Sequence, residues 1–186
     1  MKILVFTEGT IIMHSAGKNV SREERVKQSK VEGVQKEERN VTYNKGVEPI
    51  KVAPGSPYDL ETYIPIGNAV NKLTAWEKAG ANITYLTSRR IKSEIEIVKK
   101  VLKRFKFPGY SNICFRKQGE DYKDVAEKVK PDILIEDDCE SIGGKKEMTY
   151  TFIKPELKKK IKSIPIKEFG GIDHLPNSLE DLKNYI

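Results

Sequence analysis

The feature of this sequence that most constrains its fold is the run PDILIEDD, in which an apolar segment ends on three consecutive carboxylates. Residues Ile133 to Ile135 are typical of a strand that is buried on both faces of a parallel sheet. The carboxylates of Glu136 to Asp138 would then lie at the carboxyl end of that strand, where α/β sheets bind ligands. Because three adjacent negative charges repel one another, they predict a divalent cation with oxygen ligands, Mg²⁺ first. The alternative is an acidic turn that caps the next helix around Ser141.

Apolar strand-like runs alternate with amphipathic segments along most of the chain. This alternation predicts an α/β fold, a three-layer doubly wound parallel sheet with helices on both faces. Glycine and proline lie at the boundaries between the segments. The predicted strands are 2–6, 81–87, 112–116, 132–136, 148–153 and 164–169, and the predicted helices are 69–79, 93–105, 121–129 and one that Ser178 caps.

The segment 15–67 interrupts this pattern immediately after the first strand. It mixes charges of both signs with prolines and has few large apolar residues, so it predicts an insertion into a single domain that spans 1–186. Within it, 41–52 has the turn chemistry of a β-hairpin. An insertion at this point would form a flap or small cap over the crevice, with Tyr43, Tyr58 and Tyr63 facing a substrate. The alternative is a disordered or dimer-forming loop, so a homo-oligomer remains one of the alternatives.

Charge and targeting signals limit the class of protein. Lysine and arginine outnumber the acids by 34 to 27, and the resulting net charge of +7 favours anionic partners. The run KPELKKKIKS could contact nucleic acid, but it has no interleaved aromatic residues, so nucleic acid is the less favoured partner. Cys114 and Cys139 lack a CxxC spacing, and the first residues form neither a signal peptide nor a membrane span. We therefore expect reduced thiols, a cytoplasmic location and no membrane partner.

Polar side chains follow each of the first four predicted strands. Because the carboxyl ends of neighbouring parallel strands face one crevice, these groups should meet there. Hydroxyl groups and cations around a metal-bound carboxylate form a site for a phosphoryl group. The converging groups are Thr7, Glu8, Gly9 and Thr10, then Thr87 and Ser88, then Arg116, Lys117 and Lys123, and finally Glu136, Asp137 and Asp138.

With these motifs in this order, the chain resembles the haloacid dehalogenase-like (HAD-like) superfamily of phosphatases and phosphotransferases. The resemblance covers 1–14 and 68–169. It is carried by KILVFTEGT, by ITYLTSR, by Lys117 or Lys123, and by ILIEDD. It implies a HAD-like Rossmannoid fold, Mg²⁺ as cofactor and a small phosphorylated molecule as ligand. Thr10, Thr87, Ser88 and one of the two lysines would bind the phosphate.

The first motif departs from the family pattern DxDGT, in which the first aspartate attacks phosphorus and the second protonates the leaving oxygen. Glu8 stands at the second position, whereas Phe6, or Thr7 if the match slides by one residue, stands at the first. Two interpretations follow. In one, Glu8, Asp137 and Asp138 hold Mg²⁺, and Glu8 or Asp138 activates a water, so the chain is a phosphatase-type hydrolase. In the other, it is a noncatalytic binding or regulatory module with a vestigial phosphate site.

Overall fold

A computed structural model describes residues 1–32 and 52–185 of the chain. The strands are β1 (Lys2–Phe6), β2 (Ile12–Met13), β3 (Ile64–Pro65), β4 (Asn82–Leu86), β5 (Ile113–Cys114), β6 (Ile133–Asp137) and β7 (Lys162–Ile166). The helices are α1 (Arg22–Glu32), α2 (Ala69–Lys78), α3 (Lys92–Arg104), α4 (Tyr122–Val129), α5 (Thr149–Phe152), α6 (Pro155–Lys158) and α7 (Leu179–Asn184). Short 3₁₀ helices span Ser15–Gly17, Leu60–Thr62 and Lys145–Glu147.

Five strands form one parallel sheet in the order β5-β4-β1-β6-β7. Strand β1 lies at its centre, where Phe6 is in register with Leu86 of β4 and Val5 with Ile135 of β6. All five residues of β6 are buried, as the apolar run predicted for a strand covered on both faces. The carboxyl ends of β4, β1 and β6 therefore lie side by side.

Helices cover both faces of the sheet. One face packs against α2, α3 and α7, with Trp76 fully buried and its indole nitrogen donating to the carbonyl of Pro176 at 3.0 Å. The other face packs against α4 and the chain around α5 and α6, through Val125, Ala126 and Ile153. The three-layer α/β fold predicted from the sequence is confirmed.

Two predicted strands differ in the structure. The segment 148–153 was predicted as a strand from its apolar content, and this prediction is wrong, because α5 (Thr149–Phe152) is helical. The carboxylate of Glu136 accepts the amides of Thr149 and Tyr150 at 2.8 and 2.9 Å, which satisfies the amino end of this helical turn. The last strand is β7 (Lys162–Ile166), displaced towards the amino terminus from the predicted 164–169.

Part of the insertion is seen next to the carboxyl end of β1. Strands β2 and β3 pair antiparallel, and α1 follows the 3₁₀ turn after β2. The predicted hairpin 41–52, except for its last residue, and Tyr43 lie outside the described residues. Within the described part of the chain, no helix is long and apolar enough to cross a membrane.

Candidate functional site

The carboxylate of Glu8 lies between the ends of β1 and β4 and is held by three donors. The Thr87 hydroxyl donates to Oε1 at 2.6 Å. The Thr7 hydroxyl and the Ser88 amide donate to Oε2 at 2.6 and 3.0 Å. The structure thus brings Glu8, Thr87 and Ser88 together as the sequence predicted, but in an unexpected relation, because Glu8 accepts from the groups expected to hold phosphate.

A tight turn after β1 sets this arrangement. The amides of Ile11 and Ile12 both donate to the carbonyl of Thr7, and the Gly9 amide donates back to Ile12 at 2.9 Å. Gly9 has φ +79°, a conformation that favours glycine. A Cβ at this position would also lie 3.3 Å from the Asp137 carboxylate. The motif EGT therefore has a glycine because the backbone must turn left-handed beside the end of β6.

Asp137 faces the turn from the end of β6. Its carboxylate accepts from the Thr10 hydroxyl at 3.1 Å and from the Cys139 amide at 3.0 Å. Burial and, after it, the negative charge of Glu168 raise the pKa of Asp137 to about 7. Asp137 is therefore partly protonated near neutral pH. Thr10, predicted as a phosphate donor, is bound to this carboxylate.

Glu136 and Glu168 are two further buried carboxylates at this edge of the sheet. Glu136 points to the face opposite Asp137, as successive strand residues do, and it accepts the two amides of α5. Burial raises the pKa of Glu136 to about 7 despite these two hydrogen bonds. Glu168 is completely buried and accepts the amide and the hydroxyl of Ser141, both at 2.7 Å.

The three predicted metal ligands do not converge. Asp138 forms an ion pair with Lys167 at 3.2 Å and accepts the Glu168 amide at 3.1 Å, whereas Glu8 and Asp137 bind the separate sets of donors described above. Among residues 1–32 and 52–185, no group of three or more His, Cys, Asp and Glu side chains is placed to hold a metal ion. Glu8, Asp137 and Asp138 therefore do not form one shared set of three carboxylate ligands.

Phe6, which the sequence resemblance aligns with the attacking carboxylate, makes aromatic contacts. Its ring meets that of Tyr122 edge-on, with 5.0 Å between the centroids. The guanidinium carbon of Arg116 lies 3.7 Å from the centroid of the same Tyr122 ring, and Arg116 as a whole is 2% exposed. Such a contact holds a cation in a largely desolvated position. Phe6 thus packs against the Tyr122 ring that Arg116 contacts.

A cavity of about 90 Å³ opens where these groups meet. Its polar wall includes Glu8, Ser88, Arg89, Arg116 and Asp137, and Phe6, Tyr122 and Phe169 are among its aromatic residues. The insertion contributes Ser29, Pro57 and Tyr63. The cavity therefore combines two arginines, an amide and hydroxyl donors with apolar walls.

The two lysines expected to bind phosphate lie elsewhere. Lys123 forms an ion pair with Asp124 at 2.7 Å, and Lys117 is exposed, with its amide bound to Glu120. Neither lysine lines the cavity, so their placement does not support that role. Arg116 and Arg89 supply the positive charge there instead.

Sequence reasoning missed the importance of three of these residues. Arg116 was noted only as one of several cations after the third strand, and its burial beside Tyr122 had no sequence signal. Arg89 follows Thr87 and Ser88 directly, and its Nε donates to the Ser88 hydroxyl at 3.1 Å. The proximity of Glu168 to Asp137 depends on where β7 ends beside β6, which sequence spacing does not reveal.

Among solved structures, the chain is similar to a HAD family hydrolase from Deinococcus radiodurans R1 that was crystallised with bound phosphate and sodium. The two chains are 14% identical, the similarity covers 88% of this chain and 79% of the other, and the TM-score is 0.44. No family model and no curated protein matches the chain. The α/β assignment rests on the five-stranded parallel sheet and the helices on its two faces.

Proposed function

We propose that this protein is a HAD-like module that binds a small phosphorylated molecule in the cavity at the end of β1, without forming a covalent phosphoryl intermediate. The hydrogen bonds to Glu8 carry this proposal. The Thr87 hydroxyl and the Ser88 amide already hold two oxygens of one carboxylate, so they are aimed correctly for an oxyanion. Charge-assisted bonds of this kind are the strong class of hydrogen bond.

The positive groups support a phosphoryl ligand. Arg116 and Arg89 line the same cavity, at 2% and 9% exposure. Guanidinium groups match the geometry of phosphate oxygens, and in a poorly hydrated pocket their attraction for an anion is strengthened. The raised pKa values of Asp137 and Glu136 reduce the negative charge that opposes such a ligand near neutral pH.

The side chain at the nucleophile position argues against hydrolysis through an aspartyl phosphate. Phe6 has no nucleophilic atom, and Thr7 directs its hydroxyl to Glu8 and to the carbonyl of Leu86. The alternative base, Asp138, is bound to Lys167 and does not line the cavity. The removal of a covalent nucleophile costs many powers of ten in rate, whereas the binding groups survive its loss. The binding module is therefore favoured over the hydrolase.

Mg²⁺ is not part of this proposal. Its three predicted ligands have separate partners, namely Thr87, Thr10 and Lys167. The two arginines provide the charge compensation that Mg²⁺ would otherwise supply.

We also propose that 15–67 forms the flap over this cavity within a single domain. Ser29 of α1 and Tyr63, next to β3, reach the cavity wall from the insertion. The Tyr63 hydroxyl donates to the carbonyl of Pro57 at 2.7 Å, which holds that part of the wall together. The flap would therefore select the non-phosphate part of the ligand.

Calorimetric titration with inorganic phosphate and sulfate, together with an assay of p-nitrophenyl phosphate hydrolysis, tests the proposal. We expect anion binding by the native chain and no turnover with or without Mg²⁺. Thr87→Val keeps the shape of a fully buried residue and removes the hydroxyl donor, so binding should weaken by about tenfold or more.

The matched control is Thr84→Val, at a half-buried position within β4, the strand that ends one residue before Thr87. It should leave binding within about twofold of native, because no cavity donor is lost. If the native chain hydrolyses p-nitrophenyl phosphate and Thr87→Val abolishes this turnover, the protein is an enzyme and not a binding module. Equal loss of binding in the two variants would discard the site.

A further inference from the structure

A second concave site lies at the opposite edge of the sheet. It is lined by residues at the amino ends of three strands, namely Met1 before β1, Asp132 before β6 and Lys162 at the start of β7, and also by α7. The length of β6 places it roughly 15 Å from the cavity around Glu8. A ligand there would contact none of the residues in the proposed phosphate site.

Four lysines from two separate segments surround this opening, which we call the lysine basin. Lys159, Lys160 and Lys162 come from the chain before and at the start of β7, and Lys183 comes from α7. Within the described ranges 1–32 and 52–185, none of the four forms an ion pair. Like charges brought together without counter-charges are unfavourable, so a surface of this kind attracts anions.

Other lysines of the same basic run have structural partners. Lys154 forms an ion pair with Glu127 at 3.4 Å, and Lys158 donates to the carbonyl of Thr151 at 2.7 Å. The fold therefore divides KPELKKKIKS into lysines that hold neighbouring segments and lysines that face the basin. This division is visible only in the structure.

The two carboxylates in the basin wall accept hydrogen bonds from donors that lie near them in space. Asp132 accepts the amide of Lys2 at 2.7 Å, and Glu180 accepts the side-chain amide of Asn184 at 3.2 Å. They are outnumbered four to two by the lysines. The net charge of the wall is thus positive.

Shape and composition define the class of ligand. The basin has a volume of about 740 Å³, within the range of small-molecule sites, and none of the residues of 1–32 and 52–185 that line it is aromatic. A single-stranded nucleic acid uses aromatic platforms for its bases, which the described part of this wall does not offer. Lysine ammonium groups bind phosphate oxygens as point charges and need no planar partner. We infer that the lysine basin binds a compact ligand that carries several phosphate groups.

Titration calorimetry of the full chain with inorganic tripolyphosphate tests this inference. Lys160→Gln and Lys183→Gln remove one exposed charge from each of the two segments, and the double variant should bind about tenfold more weakly or worse. The matched control is the double variant Lys78→Gln/Lys100→Gln, which removes two exposed charges outside the basin. It should bind within about twofold of native.

Three comparisons complete the test. The loss of affinity in the basin double variant should be smaller for orthophosphate than for tripolyphosphate, because fewer lysines can contact orthophosphate at once. In a Thr87→Val background, the basin variants should lose the same fraction of tripolyphosphate affinity as in the native background, which separates this site from the cavity around Glu8. Absence of binding by the native chain, equal losses in the basin and control variants, or tighter lysine-dependent binding of a mixed-sequence single-stranded oligonucleotide would each overturn the inference.

Discussion

The Thr87 hydroxyl donates a 2.6 Å hydrogen bond to the carboxylate of Glu8, across the ends of two neighbouring strands. The Ser88 amide donates to the other oxygen of the same group. The Glu8 carboxylate therefore accepts the hydrogen bonds that the proposed ligand would otherwise accept. A ligand must displace Glu8, so the apparent affinity depends on how firmly these bonds hold it.

Glu8→Gln should strengthen the binding of sulfate. The neutral amide keeps the shape of the side chain but removes both the competing negative charge and its repulsion of the anion. We expect about tenfold tighter binding in a calorimetric titration. Glu96→Gln, at an exposed position of α3, removes the same charge at a distance from the cavity and is the control. Weaker binding by Glu8→Gln would mean that Glu8 supports the ligand and does not compete with it.

Sulfate should bind more tightly at about pH 6 than at about pH 8. Asp137 and Glu136 line the cavity and have pKa values of about 7, so they gain protons and lose negative charge over this range. Sulfate does not titrate there, so the change reports on the protein alone. Asp137→Asn should reduce the pH dependence by a measurable fraction. Binding that is independent of pH in the native chain would contradict the role assigned to these carboxyls.

The ionisation of Asp137 should lower the stability of the protein as the pH rises. Its pKa is 3.8 in an ordinary setting and about 7 in the fold, so its favourable contribution is complete below about pH 4 and is lost by about pH 7. One such proton changes the free energy of unfolding by at most about 1.4 kcal/mol per pH unit. Other groups also titrate, so the native chain must be compared with a variant.

Chemical denaturation of Asp137→Asn across this range isolates that contribution. The stability of the variant relative to native should rise between about pH 4 and about pH 7 and then become constant. Asp181→Asn, at an exposed position of α7, is the matched control. An identical pH dependence in the two variants would exclude Asp137 as the source.

Millimolar MgCl₂ should leave the melting temperature of the native chain unchanged, and EDTA should have no effect. A ligand that binds only the folded state raises its stability by mass action, and the carboxylates predicted to bind Mg²⁺ are engaged elsewhere. Differential scanning calorimetry measures this directly. A rise in melting temperature with Mg²⁺ that is lost in Asp137→Asn, but not in Asp181→Asn, would restore the metal site predicted from the sequence.

The apolar runs and the polar residues that follow them were sufficient to predict the edge of the sheet at which the site lies. The apolar runs before Thr7, Thr87 and Glu136 predicted buried strands, and parallel pairing brings their ends together. Gly9 marked the turn beside β6. The segment 148–153 was misassigned because its apolar residues suit a strand or a short helix equally, and the carboxylate of Glu136 selects the helix by binding its first amides.

The sequence by itself determined the α/β architecture and the carboxylate and hydroxyl groups at the ends of β1, β4 and β6, because strand periodicity and parallel pairing depend on residues close along the chain. Only the tertiary structure decided which of those groups contact one another. It directed Glu8 to Thr87, Asp138 to Lys167 and Arg116 to Tyr122. Those partners are set by side-chain direction and by competition among nearby donors and acceptors in three dimensions, which residue spacing does not specify.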